Sequence, residues 1–284
     1  MEVELTWDER MLRHEKHRGG HPERPERILA VQQALVRAGL HNRVTILGCG
    51  LAARRDLERI HPREHLDALQ QRLGEDPGQL TRDTFFSHGT WEAALSAAGA
   101  GLRGVRESLA EAAPPFRLAL CRPPGHHAGP TSVKGFCVLN NASVAAAAAL
   151  EAGARRVAIW DWDAHHGNGT QEAFYHSPEV LVLSWHRHPY FPFTGAPELR
   201  GQGDGLGFNV NLPLERGEGD EALLYAADEL FLPLIREFEP DLIVVSAGFD
   251  AHRFELLGGL EATAAGFGAL AVKLMDLAQE VCRG

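Results

Sequence analysis

The sequence predicts an α/β fold in which helices cover both faces of a parallel β-sheet. Short apolar runs alternate with longer segments of helical periodicity, and this alternation is typical of strands joined by crossover helices. The runs are almost continuously apolar, as expected for strands that are buried on both faces. The five predicted strands are residues 117–121, 156–160, 180–185, 208–212 and 242–246.

Five helices are predicted between and around these strands. They are residues 23–38, 91–110, 141–152, 220–238 and 263–281. The fourth of these helices contains Pro233. Because proline has no backbone N–H and its ring crowds the preceding turn, we expect a kink or a break there.

The composition indicates an ordinary globular protein with a single domain over residues 1–284. Hydrophobic residues make up 44% of the chain and charged residues 23%, with no run of like charge and no low-complexity tract. The net charge of -10 disfavours nonspecific binding to nucleic acid, which needs clustered lysine and arginine. Cationic ligands fit this charge better.

The sequence also limits where the protein resides and how it could hold a metal. Its longest apolar stretch, residues 144–150, is too short for a membrane span, and its first residues lack the apolar core of a signal peptide. A cytoplasmic location is therefore expected. The four cysteines form no CxxC pair, so neither a disulfide framework nor a thiolate zinc site is indicated.

Polar segments follow three of the predicted strands at their carboxyl ends, where functional residues gather in parallel sheets. The strand at 117–121 runs into Arg-Pro-Pro-Gly-His-His, the strand at 156–160 into Asp-Trp-Asp-Ala-His-His, and the strand at 242–246 into Ala-Gly-Phe-Asp-Ala-His. A glycine-rich stretch at 201–207 does not join a strand to a helix. It therefore indicates a flexible loop rather than a dinucleotide site.

Asp161, Asp163 and His165 are the strongest candidates for a metal site. They alternate along the chain, so in an extended strand their side chains share one side. Two carboxylates and an imidazole suit zinc or a similar divalent metal, although one of the three could act outside the coordination sphere. Asp250 follows another strand end and is placed to join them, whereas alone it would indicate a turn or a helix cap. The alternative is a polar strand end without a metal. It is less favoured because two histidines, His165 and His166, follow the two aspartates in the same segment.

The adjacent His126 and His127 could act as a paired base and acid. Imidazoles titrate near neutral pH, and two with different partners can hold different protonation states. The alternative is a surface loop with incidental histidines. Ser184 and the aromatic loop 186–195 could line a narrow apolar passage, but composition alone favours ordinary core for this loop.

Several sequence blocks resemble the histone deacetylase family. They are His-Pro-Glu-Arg-Pro-Glu-Arg at 21–27, Arg-Pro-Pro-Gly-His-His-Ala at 122–128, Gly-Phe-Cys at 135–137, Asp-Trp-Asp-Ala-His-His-Gly-Asn-Gly-Thr-Gln at 161–171 and Ser-Ala-Gly-Phe-Asp-Ala-His at 246–252. The form is similar to the class II and bacterial branch, which includes acetylpolyamine amidohydrolases and acetoin-utilisation proteins. The resemblance implies the three-layer arginase/deacetylase-type fold, with a central parallel sheet flanked by helices on both faces.

The resemblance also implies a zinc-dependent hydrolysis of an acetyl-amide. Asp163, His165 and Asp250 would bind Zn2+, which would polarise the acetyl carbonyl and activate a water molecule. His127 would be the general base or acid, and His126 would be the second catalytic imidazole. Together they would take a proton from water and give one to the leaving amine.

Further residues receive roles from the same resemblance. Asp161 would orient His126, and Asn168 would orient His127. A structural monovalent cation, expected to be K+, would be bound by Asp161, Asp163, His165, Ser184 and Trp185, and a second one by main-chain carbonyls around Phe174, Ser177, Val180 and Phe208. The substrate tunnel would be lined by Gly135, Phe136, Phe191 and Leu257.

Two features depart from the family pattern. Residues 254–256 read Phe-Glu-Leu, where relatives more often have acidic residues and a proline, so the rim of the tunnel should differ. In the family, a strand and a Glu-Gly-Gly-Tyr segment follow the last helix, whereas this sequence stops at Gly284. We therefore expect a truncated sheet edge. We also expect slow turnover or none, because the family's tyrosine hydroxyl, which donates a hydrogen bond to the oxyanion, would lie beyond Gly284.

Three functions are consistent with these residues. The first is a protein deacetylase that acts on acetylated lysine side chains. The second is an acetylpolyamine amidohydrolase, for which an acidic gate at the rim would be needed and Glu255 is a candidate. The third is a zinc-loaded module that binds an acyl group with little turnover.

Overall fold

The computed structural model describes residues 3–16, 20–110 and 116–282, which form two compact units within residues 1–148 and 149–284. Both units contain parallel strands and helices. The predicted α/β class is therefore confirmed. The expectation of a single domain over 1–284 stays a prediction.

The first unit contains a three-stranded parallel sheet. The strands of this unit are β1 (Val3–Trp7), β2 (Val44–Gly48), β3 (Gly78–Gln79), β4 (Phe85–Phe86) and β5 (Arg117–Ala119). The sheet order is β2-β1-β5, and β3 and β4 form a separate antiparallel pair. Only β5 coincides with a predicted strand. β1 carries Glu4 and Thr6 between its apolar residues and β2 is a largely exposed edge strand, so neither has the long apolar run by which the other strands are recognised.

Helix α4 is the packing centre of the first unit. The helices are α1 (Glu26–Arg37), α2 (Arg54–Leu57), α3 (Arg63–Leu73), α4 (Thr90–Ser108) and α5 (Asn141–Glu151), which begins in this unit and ends in the next, and Glu9–Arg13 form a 3-10 turn. α4 packs against β1, β5 and the 3-10 turn. Its buried face consists mostly of alanine and glycine, so neighbouring backbone comes close. A Cβ atom on Gly99 would lie 1.9 Å from the Gly50 carbonyl oxygen.

The second unit contains a four-stranded, fully parallel sheet. Its strands are β6 (Val157–Asp161), β7 (Val180–Arg187), β8 (Asn209–Leu214) and β9 (Leu242–Ser246). The order is β8-β7-β6-β9. These strands agree with the four predicted between residues 156 and 246 to within one or two residues at each end. Because all four run in parallel, their carboxyl ends lie along the same edge of the sheet.

The helix predicted over 220–238, in which we expected a kink or a break at Pro233, is irregular just before that residue. The helices of the second unit are α6 (Asn168–Phe174), α7 (Asp220–Ala226), α8 (Leu232–Phe238) and α9 (Ala264–Cys282). A π-helical turn at Ala227–Phe231 separates α7 from α8. Since Pro233 cannot donate a backbone hydrogen bond, the regular ladder cannot continue through it, and the wider turn accommodates the misfit. Over the described ranges, every helix is too short or too polar to span a bilayer.

Three aromatic rings form the centre of the second unit's core. Trp160 on β6 and Trp185 on β7 are fully buried, with ring centroids 5.2 Å apart in an edge-on arrangement. Phe231 of the π-helical turn stacks on Trp185 at 5.6 Å and meets Trp160 edge-on at 5.4 Å. Trp160 immediately precedes Asp161, so this packing fixes the strand end from which the candidate metal ligands emerge.

We expect Trp160→Ala to lower the free energy of unfolding by about 3–5 kcal/mol, because a large buried ring is replaced by a cavity. Tyr225→Ala is the control, since Tyr225 is 69% exposed and its loss should change stability by no more than about 0.5 kcal/mol. Urea unfolding followed by circular dichroism measures both. Equal decreases in the free energy of unfolding of the two variants would contradict the assignment of this aromatic cluster as the core.

Candidate active site

The carboxyl edge of the second unit's sheet brings the three predicted metal ligands together. Asp163 and His165 follow β6, and Asp250 follows β9, its neighbour in the sheet. One ligand atom from each of these residues lies within 4.8 Å of the others. The Nδ1 atom of His165 is 2.6 Å from Asp250 Oδ2 and 3.1 Å from Asp163 Oδ1.

Main-chain hydrogen bonds fix the two carboxylates of this group. Asp163 Oδ1 accepts from the N–H of His165 at 2.8 Å, and Asp250 Oδ1 accepts from the N–H of Ala164 at 2.8 Å. Asp161 is buried, and its Oδ1 accepts from the N–H of Asp163 at 3.2 Å. Asp161 therefore supports the chain beside the group, and its expected place outside the coordination sphere stays a prediction.

Two glycines allow the backbone to approach the ligands closely. A Cβ atom on Gly248 would lie 2.0 Å from Asp163 Oδ2. A Cβ atom on Gly258 would lie 2.0 Å from the Asp250 carbonyl oxygen and 2.9 Å from Ala164 Cβ. Any larger residue at 248 would therefore displace the Asp163 carboxylate.

The electrostatics of the group fit a divalent cation. Burial raises the pKa of Asp250, and the charge of Asp163 raises it further. Burial would lower the pKa of His165, but hydrogen bonds with both carboxylates and their charges outweigh it and raise that pKa to about 10. The two carboxylates thus require positive charge beside them. Mixed oxygen and nitrogen donors suit zinc, and three protein ligands are the number used where a metal keeps one position open for water.

Aromatic side chains surround His165. The ring of Tyr190 stacks on His165 at 5.4 Å, and the ring of Phe191 meets it edge-on at 6.0 Å. Arg187 Cζ lies 3.9 Å from the centre of the Tyr190 ring. The expectation from composition, that this loop is ordinary core, is wrong for Phe193, which is 75% exposed.

The residues predicted to bind the first monovalent cation lie around the same strand ends. Asp161 and Ser184 are register partners on β6 and β7. The Ser184 hydroxyl lies 3.1 Å from His186 Nδ1 and 3.4 Å from the carbonyl oxygen of Trp185. At the second predicted position, the carbonyl oxygens of Phe174 and Phe208 accept from the N–H groups of Ser177 and Val182. Cation binding by these residues, and orientation of the histidine pair by Asp161 and Asn168, stay predictions.

His126 and His127 lie in the first unit and are both buried, at 7% and 4% exposure. The alternative of a surface loop with incidental histidines is therefore excluded. Their ring centroids are 3.9 Å apart at an angle of 40°. Gly135 lies against His127, since a Cβ atom there would be 2.2 Å from His127 Cδ2. Gly135 and Phe136 both have positive φ, of 59° and 68°, so this predicted tunnel segment forms a tight turn beside the histidine.

A buried ion pair anchors the start of the histidine segment, and no role was predicted for its acidic member. Arg122 Nε lies 2.6 Å from Glu23 Oε1, and both side chains are buried. The Arg122 guanidinium also donates to the carbonyl oxygens of Met11 and His14. The only sequence signal for Glu23 was its place in the block at 21–27.

The loop after Asp250 returns to the metal group through Gly258. Within it, Glu255 Oε2 accepts from the backbone N–H groups of Leu257 and Gly258, at 2.5 and 2.8 Å. The side chains of Phe254 and Leu256 project into solvent, and Leu257 is partly exposed. The carboxylate of Glu255 therefore stabilises the loop itself.

Comparison with known proteins gives consistent matches over almost the whole chain. The family model "Histone deacetylase domain" matches residues 21–283. Histone deacetylase 5 of Arabidopsis thaliana is 38% identical over 296 residues, covering 98% of this chain and 44% of the relative. The probable deacetylase of Archaeoglobus fulgidus is 37% identical over 282 residues, covering 99% of this chain and 78% of the relative. The histone deacetylase-like amidohydrolase of Pseudomonas aeruginosa is 36% identical over 268 residues, covering 93% of this chain and 70% of the relative.

A solved structure supports the same result. The crystal structure of the HDA15 HD domain superposes with a TM-score of 0.94 at 38% identity, covering 97% of this chain and 80% of that one. The predicted deacetylase-type fold is therefore confirmed. The chain spans less than half of the Arabidopsis relative's length.

We expect Gly248→Ala to weaken zinc binding by about 10- to 100-fold, because the added methyl group displaces the Asp163 carboxylate. Gly268→Ala is the matched control, since a Cβ atom there meets nothing within 4 Å. Competition with a chromogenic chelator measures the affinity, and circular dichroism confirms folding. Unchanged affinity in Gly248→Ala would show that Asp163 is not a ligand.

Proposed function

This chain belongs to the histone deacetylase family of deacetylases and amidohydrolases, and from that premise we propose that it hydrolyses the acetyl-amide of acetylated lysine side chains in proteins. The observation that carries the proposal is the convergence of Asp163, His165 and Asp250 within 4.8 Å. These residues lie in the blocks that resemble the family. They would hold Zn2+ as the catalytic metal.

When bound, zinc supplies Lewis-acid polarisation of the amide carbonyl and activation of water. The chain's own residues prepare this site. Asp163 and Asp250 are fixed by backbone N–H groups, so the donor atoms are ordered before a metal arrives. The rings of Tyr190 and Phe191 on His165 limit the access of bulk water to that imidazole.

His126 and His127 are the proposed proton carriers. Their rings are 3.9 Å apart, and at this separation a positive charge on one disfavours a positive charge on the other. Two adjacent imidazoles with different partners can also hold different protonation states. One imidazole can then accept a proton from water while the other gives one to the leaving amine, which amide hydrolysis requires.

The remaining family roles are proposed on the same basis. Asp161 and Ser184, side by side on β6 and β7, would contribute to a structural K+ site. Phe136 and Phe191 would be walls of the substrate tunnel, with Leu257 at its rim.

The hydrogen bonding of Glu255 favours an acetylated lysine side chain over an acetylated polyamine as the substrate. An acetylated polyamine carries a second ammonium group, which an acidic gate at the rim would recognise. Glu255 is the acidic residue of the loop at 252–258, and its carboxylate is engaged by the N–H groups of Leu257 and Gly258. The exposed neighbours Phe254 and Leu256 are apolar. We therefore prefer acetyl-lysine in proteins, with acetylpolyamine hydrolysis and acyl binding without turnover as the alternatives.

Turnover of an acetyl-lysine peptide and of N-acetylputrescine separates these functions. We expect kcat/KM to be higher for the peptide by at least about tenfold, because Glu255 Oε2 is bound by the backbone of its own loop and the exposed side chains beside it, Phe254 and Leu256, are apolar. Release of acetate measures both reactions with the zinc-loaded chain. A preference for N-acetylputrescine would favour the polyamine alternative, and peptide binding without acetate release would favour the binding module.

His127→Ala should reduce kcat for the acetyl-lysine peptide by about 10²- to 10⁴-fold, because a positioned proton carrier is lost. Zinc content should not change, because His127 is outside the ligand group. His88→Ala is the control, since His88 is exposed on the same unit. Full activity in His127→Ala would remove this residue from the mechanism.

A further inference from the structure

His61 is a fully buried histidine to which neither the sequence nor the proposed mechanism gives a role. It lies between α2 and α3 in the first unit. Its Nδ1 is 3.2 Å from the carbonyl oxygen of Pro130, and its Nε2 is 3.0 Å from the backbone nitrogen of Asn140. A carbonyl oxygen only accepts and an N–H only donates. His61 must therefore be neutral, with its hydrogen on Nδ1.

The charge state required by these contacts agrees with the surroundings. Burial lowers the pKa of His61 to about 4. The nearby imidazole of His65, whose ring centroid is 5.9 Å away, also disfavours a positive charge on His61. At neutral pH the ring can hold both hydrogen bonds continuously.

Asn140 extends this contact to the histidine segment. Its Nδ2 donates to the carbonyl oxygen of Ala128 at 3.0 Å, and its Oδ1 accepts from the N–H of Ser143 at 3.0 Å, which caps the start of α5. The next residue, Asn141, donates from Nδ2 to the carbonyl oxygen of Pro123 at 3.1 Å. Three buried or half-buried amide and imidazole groups thus bind carbonyl oxygens of the segment 123–130.

Close packing reinforces the hydrogen bonds at the middle of the segment. A Cβ atom on Gly125 would lie 2.5 Å from the backbone nitrogen of Asn141 and 2.9 Å from the Leu139 carbonyl oxygen. The residues that follow Gly125 are His126 and His127. Their backbone therefore has contacts on both sides, at Gly125 and at Ala128.

We propose that His61 and Asn140 form a clamp that positions His126 and His127 for proton transfer. Both are positioning residues, because they bind the backbone of the segment and not the reacting atoms. The inference rests on the proposed function of the histidine pair. Proton transfer depends on the placement of the carrier, and a misplacement of about 1 Å can cost about 10²-fold in rate.

The test compares His61→Phe with His65→Phe. His61→Phe keeps a flat ring of similar size but removes both hydrogen bonds. His65→Phe makes the same chemical change in a neighbouring ring, at a position without these two contacts to Pro130 and Asn140. In the zinc-loaded chain we expect His61→Phe to lower kcat for the acetyl-lysine peptide by about 10- to 100-fold, with KM and zinc content unchanged. His65→Phe should retain the wild-type kcat.

A second variant separates the clamp from simple stability. Asn140→Ser keeps an oxygen that can cap α5 through the Ser143 N–H, but it is too short to reach the Ala128 carbonyl oxygen. We expect it to lose kcat while its melting temperature stays close to that of the wild type. If His61→Phe does not fold, the kcat and melting temperature of Asn140→Ser alone show whether the clamp affects catalysis.

NMR titration of the imidazoles of His126 and His127 distinguishes failure of the clamp from failure of the proposed function. In the clamp variants, the pKa values of these two imidazoles should differ from the wild-type values, whether or not the chain turns over any acetylated substrate. Absence of turnover in the wild type would overturn only the proposed function. Wild-type kcat and unchanged titrations in both His61→Phe and Asn140→Ser would overturn the clamp.

Discussion

The carboxylates of Asp163 and Asp250 lie beside the partly buried imidazole of His165. The electrostatic repulsion between the two carboxylates is the constraint that the second unit must satisfy. Like charges at this distance cannot both remain ionised in partly buried surroundings unless positive charge lies next to them. A proton on His165 or a divalent cation can supply it. The high pKa of His165, about 10, and the expected affinity for zinc have the same cause, which is the negative charge of the two carboxylates. Metal binding and the local charge balance are therefore one property of this strand edge.

The fold satisfies this constraint through rigid backbone placement. The parallel register of β6 and β9 brings the two ligand-bearing strand ends to one edge, and the aromatic core under Trp160 holds β6 in place. Gly248 then allows the chain to pass within contact of the Asp163 carboxylate. Because backbone N–H groups already hold the two carboxylates, little conformational entropy is lost when a cation binds.

The parts of this structure that could be predicted from sequence are those with local signals. The strands of the second unit contain apolar runs, the π-helical turn before α8 follows from Pro233, and the metal ligands lie in one short block and one strand end. β1 has Glu4 and Thr6 between its apolar residues, and β2 is a short, largely exposed edge strand, so neither was predicted. His61 carried no local signal at all, since its partners Pro130 and Asn140 are 69 and 79 residues away. Only tertiary structure shows that its two nitrogens are both engaged.

The proposed clamp on the histidine segment consists of neutral groups, and electrostatics gives the reason. The metal ligands need negative charge, so carboxylates are suitable there. A proton carrier needs a pKa near the working pH, and a full charge close to it in a low-dielectric environment would shift that pKa strongly. His61 and Asn140 are neutral, and the nearby charges of Arg122 and Glu23 are paired with each other. The proposed clamp therefore fixes the position of the histidine segment without imposing a protonation state on it.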